Sequence, residues 1–197
     1  MKLNIITEKY RELDKVLNPW IGSKYEFIRN AGTDTTGKIG EEFIFFLLKN
    51  IFIGYKIIWE KDNNTSNEDG VYDIKIINPL SHSIIRLEIK TATQGKDGSF
   101  QHEKLLGKEF CDKILFLDIT PVGFYVTLLD VDDIDFTGKE KCVLGRTLHI
   151  RSNSEQSKLD FGSKTIENGL NLGKTIYIED EETQKDLLNQ FLIKSLT

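Results

Sequence analysis

The sequence predicts an α/β fold, a mixed central β-sheet flanked by helices, and three observations predict it. A helical apolar pattern around residues 36–48 precedes a series of short strand-like runs. Those runs are separated by Gly-, Pro- and Asn-containing turns. A further helical pattern separates the third run from the fourth, and the order helix, three strands, helix, strand, strand builds a mixed sheet with helices on it. At 197 residues, with 39% apolar and 29% charged side chains, the chain is long enough to bury one substantial core.

Taken in order, residues 7–17 place Leu13, Val16 and Leu17 among charges, a short amphipathic helix that Asn18-Pro19 ends. A second helical piece covers 23–29, before a Gly/Thr-rich break at 31–37. The strongest helix follows. Thr35 or Thr36 can cap it, Glu41 and Glu42 suit its first turns, and Ile39, Phe43, Phe46 and Leu47 recur at helical spacing. Strands are expected at 55–59, 71–77 and 84–90, with a polar loop at 61–70 and a turn at 78–83. A helix at 100–110, strands at 113–119 and 124–129 and a Pro-Val-Gly turn between them complete the core. From 130 to 174 the signals are weak, with short strands near 147–151 and then at 175–178. A helix at 180–196 closes the chain. No repeat or linker divides it, so 1–197 reads as one domain: a helical N-terminal segment (1–36), a core (about 37–129) and additional C-terminal strands and helix (130–197).

Twenty-six basic and 31 acidic residues give a net charge of −5. That argues against a protein that coats nucleic acid nonspecifically, since such binders neutralise many phosphates. It leaves room for an enzyme that needs carboxylates at a metal centre. No apolar run approaches the ~18 residues of a membrane span. The first residues meet charge too early for a secretory leader, and Cys111 and Cys142 have no metal-ligand spacing. The expectation is a cytoplasmic, reduced protein with no membrane partner.

The chemistry-bearing residues are Asp73 and Glu88-Ile89-Lys90. Side chains at i and i+2 of a strand share a face, so Glu88 and Lys90 project together while Ile89 enters the core. A turn centred between Leu80 and Ser81 sets Asp73 opposite Glu88, with Cβ atoms roughly 4.5–5.5 Å apart. Two carboxylates that close repel unless a cation lies between them. A hard divalent ion such as Mg²⁺ suits oxygen donors, and Lys90 would stand beside it to orient water or steady a phosphate.

This pattern resembles the PD-(D/E)xK nuclease superfamily, the restriction-endonuclease-like fold. Asp73, Glu88 and Lys90 stand at the positions of its two acids and lysine; Tyr72 replaces the proline often found before the first acid. Gly40-Glu41 resembles the helix element that supplies a further glutamate, with Glu42 as the competing assignment. The resemblance spans about 37–129. It implies Mg²⁺-dependent hydrolysis of phosphodiester bonds, with Asp73 and Glu88 on the metal, Glu41 acting directly or through water, and the carbonyl of Ile89 completing the shell. It also implies double-stranded DNA as partner and a homodimer to cut both strands. A type II restriction endonuclease is the first reading. A repair or phage nuclease, a junction resolvase and a non-catalytic DNA-binding module of the same fold are the others.

Gln101, His102 and Lys104, expected near the start of the 100–110 helix, are candidate DNA contacts, and Arg151 is another in a polar and basic stretch. Asp73-Ile74-Lys75 is a second acid-x-Lys triplet, but using it would push the earlier acid into the 61–70 loop. Gly169 to Thr175 nearly spells a phosphate-binding loop, yet one residue too few separates its glycines and a strand-like run follows.

Overall fold

The computed structural model describes residues 6–9, 12–13, 18–60, 72–151 and 157–197. Residues 6–9 and 12–13 are helical, and the rest of the expected 7–17 helix lies outside the described residues, as do the 61–70 loop and Val71. Helix α1 spans Glu26–Asn30 and leads into the long helix α2, Thr33–Ile51. Gly32, at φ 78°, is the N-cap of α2, and no side chain caps it. The capping expected of Thr35 or Thr36 is therefore corrected: both lie inside the helix, and the Thr36 hydroxyl donates back to the carbonyls of Gly32 and Ile28.

Six strands form the main sheet in the order β1-β2-β3-β5-β6-β9: β1 Lys56–Trp59, β2 Ile74–Ile77, β3 Ile84–Thr93, β5 Lys113–Ile119, β6 Phe124–Asp130 and β9 Thr175–Ile178. Only β3 and β5 run parallel, so the sheet is mixed as expected. β5 is buried on both faces, which explains its unbroken apolar run. Helix α3 covers Ser163–Asn171 and α4 Lys185–Leu196, a shorter C-terminal helix than the 180–196 expected.

The helix expected over 100–110 is corrected. Phe100–Glu103 is strand β4, paired antiparallel with β8, Ser157–Phe161, in a second sheet of order β4-β8-β7, where β7 is His149–Ile150. Burial alternates along β4: Phe100 and His102 point in, Gln101 and Glu103 point out. Period two outweighs the helical spacing once β8 supplies a partner. Lys104 at φ 58° and Gly107 at φ 83° then turn the chain where a helix would have continued.

Two cores follow from the alternation of β3. Leu87 and Ile89 join Ile44 and Leu48 of α2 and Leu192 of α4 on one face. On the other, Ala92 joins Phe100, Phe116 and Phe161 beneath the small sheet. Helix α2 comes so close to β3 that a Cβ added at Gly40 would lie 1.8 Å from Thr91 Oγ1. Gly→Ala inside a helix ordinarily gains about 1 kcal/mol. Here Gly40→Ala is expected to cost about 1–3 kcal/mol through overpacking, and less in a Thr91→Ala background; urea unfolding of the four proteins checks the coupling.

Candidate active site

β3 outruns its neighbour. The hairpin pairs Ile77 with Ile84 and Ile74 with Leu87, so the register continued by one residue sets Asp73 opposite Glu88. Beyond that point β2 has ended, and Asp73 lies along the edge of β3 that it leaves open. The Asp73 amide donates to Leu87 O at 3.0 Å, and Asp73 Oδ2 accepts the Ile89 amide at 2.8 Å. Ile89 itself packs in the core, 5% exposed.

Glu88 is 2% exposed. Lys90 Nζ stands 2.7 Å from its Oε1, as two side chains on one strand face should. A second ammonium, Lys108, reaches its Oε2 at 2.8 Å. Nothing in the local sequence around Lys108 marks it, because its role depends on where the β3–β5 crossover closes. The parallel register does hold part of the signal: Leu87 lies against Lys113, so the residues just before Lys113 return to the level of Arg86, two positions from Glu88. The Asp112 amide donates to Arg86 O at 2.9 Å and fixes that return.

The close packing at Gly40 carries Glu41 to the same place. Glu41 is buried, and its charge acts on Asp73. Glu42 is exposed and lies on a separate apolar groove with Phe43 and Phe46. Of the two glutamates, the structure brings Glu41 to the site.

Burial first, then the charges of Glu88 and Glu41, push the Asp73 carboxyl up to about 7, against the opposing pull of the Ile89 amide and Lys108. The ordinary value is 3.8. Between about pH 4 and 7 the folded protein thus holds a proton that the unfolded chain has released. In metal-free protein this contribution makes stability fall as pH rises through that window. Asp73→Asn is expected to remove it, so the variant gains on wild type by several kcal/mol at pH 8 and little at pH 4, because each tenfold change in proton affinity is worth about 1.4 kcal/mol; denaturant unfolding in EDTA measures the difference.

Three carboxylates offer hard oxygen donors, and a cation would offset both the burial and the neighbouring charges that raise the Asp73 carboxyl. Their chemistry fits Mg²⁺. Among the described residues, however, no three His, Cys, Asp or Glu side chains are arranged to hold an ion together. Both oxygens of Glu88 face ammoniums, Oε1 that of Lys90 and Oε2 that of Lys108.

Asp73, Glu88, Lys90 and Glu41 line a cleft of about 960 Å³, whose walls also carry Arg29, Lys38, Lys96, Gln101 and Lys104. Gln101 and Lys104 are exposed there, on and just after β4 and not on a helix. The DNA contact expected of His102 is corrected: its side chain is fully buried, with Nε2 2.9 Å from Asp118 Oδ1, and its ring packs against those of Phe116 and Phe161. Arg151 is exposed beyond β7 and does not line the cleft. The stretch that follows it, 152–156, lies outside the described residues. Also among the described residues, no helix is long and apolar enough to cross a membrane. Comparison of the chain with family models, with curated proteins and with solved structures found no match.

Proposed function

We propose that the protein is a Mg²⁺-dependent DNA endonuclease built on a restriction-endonuclease-like core, most simply of the type II restriction kind and acting as a homodimer. One observation carries the reading: Asp73 accepts the Ile89 amide, next to Glu88, while Lys90 contacts Glu88 from the same strand face. Two acids on adjacent strands and an amine two residues along thus converge at one end of a cleft. Asp73 and Glu88 would supply the metal's protein oxygens, with Glu41 close enough to act directly or through water. When bound, Mg²⁺ lowers the pKa of a water and neutralises charge on the phosphate. Lys90, once its carboxylate partner is engaged elsewhere, can hold the attacking water or a phosphate oxygen. Lys38, Lys96 and Lys104 on the walls can take the flanking phosphates.

Incubation of the purified protein with plasmid DNA tests this. Cleavage with Mg²⁺ and none with EDTA supports the reading; no cleavage of duplex or branched DNA with any divalent ion refutes it. Discrete fragments would mark a restriction enzyme, a smear a nonspecific nuclease, and a preference for branched DNA a resolvase. The ammoniums on both oxygens of Glu88 favour a second reading, a non-catalytic DNA-binding module. That reading requires DNA binding unaffected by EDTA and no cleavage.

A further inference from the structure

The crossover from 104 to 112 is anchored by Asp112 on Arg86 and by Ser157, whose hydroxyl accepts the amides of Leu105 and Leu106. Lys108 stands between these anchors, after Gly107, and sends its ammonium to the buried Glu88. Lys90 is different, because it is fixed on β3 two residues from the carboxylate it meets.

We propose that Lys108 is the resident counter-ion of the metal-free site, and that a divalent cation binds by displacing it from Glu88. Charge supports the exchange. A bound cation keeps Asp73 ionised, and with Glu41, Asp73 and Glu88 then all charged against Lys90 and Lys108 these five groups carry one negative charge in excess. Adding a divalent ion with both lysines in place leaves one positive charge, whereas releasing one lysine leaves the site neutral. Geometry supports it too. With Oε1 on Lys90 and Oε2 on Lys108, Glu88 has no oxygen free of an ammonium, so an ion approaching it meets a lysine at either oxygen. Of the two, Lys108 belongs to the irregular crossover and can swing without distorting the sheet.

This inference rests on the metal-binding part of the proposed function. Calorimetric titration with MgCl₂, without DNA, separates the two. Lys108→Met is expected to bind Mg²⁺ at least tenfold more tightly than wild type, and Lys108→Arg within twofold of it. Equal or weaker binding by Lys108→Met beside measurable wild-type binding overturns the displacement and leaves the metal site standing. No binding by either protein overturns both. Lys108→Gln serves if the methionine variant does not fold. Should neither neutral variant fold, acylation of Lys108 in wild type by a succinimidyl ester, read by peptide mass spectrometry, carries the test: labelling raised at least threefold by Mg²⁺ supports the displacement, and unchanged labelling overturns it.

Discussion

Asp73→Ala is expected to slow Mg²⁺-dependent phosphodiester cleavage by about 10³-fold, roughly 4 kcal/mol of transition-state stabilisation. The physical reason is the position of its carboxylate on the open edge of β3, beside Glu88 and within the field of Glu41. No other acid of the pair of strands can replace it, since the next inward position, Ile74, faces the opposite core. Loss of activity here will not be loss of fold. At pH 8 an uncharged residue removes the cost of burying a carboxylate and its repulsion from Glu88 and Glu41, so Asp73→Asn should be more stable than wild type while still inactive. Rate and denaturation midpoint moving in opposite directions is the signature of a metal ligand. Lys90→Ala should lose about 10²-fold or more in the same assay, because Lys90 sits at the charge centre of the site. A variant of either residue that cleaves plasmid at the wild-type rate contradicts the site assignment.

Asp118→Ala is expected to destabilise the protein by about 3–5 kcal/mol, the largest single effect away from the cleft. Asp118 of β5 and His102 of β4 are both fully buried, and the imidazole lies with ring centres 4.7 Å from Phe116 and 5.0 Å from Phe161. Burial drives the Asp118 carboxyl upward, and the charge of His102 draws it back. The pair ties the small sheet to the main one. Removing the acid leaves a histidine packed against two phenyl rings without its carboxylate partner, which is the costly half of breaking a buried pair. Replacing both residues together with apolar ones, His102→Phe with Asp118→Leu, should recover most of the loss. Urea denaturation of the single and double variants measures the coupling; a single-variant cost below about 1 kcal/mol would show that the pair contributes little.

The hairpin that places Asp73 beside Glu88 is legible in the sequence because every signal in it is local. The Asn-Pro turn fixes the register, period two fixes the faces, and β3 reads as Ile84 to Lys90 with only its last stretch, to Thr93, unannounced. The long helix is equally plain from its apolar stripe, although its start is set by a positive-φ glycine and not by a threonine cap. What misleads is the segment after β3. Residues 100–110 read as a helix, while the strand that pairs with their first four residues, β8, lies more than fifty residues away in sequence. A strand whose partner is that distant gives no turn signal to announce it. Burial of Ser157, Leu159 and Phe161 alternates along β8, so its period was present but hidden in a polar context. Helix α3 is masked by Gly169, Asn168 and Asn171, poor helix formers that its packing tolerates. Lys108 is the residue that no local pattern could supply, since only the closed crossover brings it to Glu88.

The central claim is that Asp73 and Glu88 together hold one divalent ion, and anomalous diffraction from crystals soaked in MnCl₂ tests it most directly. The account predicts a single strong anomalous peak within about 2.5 Å of oxygens from both carboxylates, the range of hard-cation coordination, and its loss in Asp73→Asn. No peak at the cleft, or a peak that touches neither carboxylate, would contradict it.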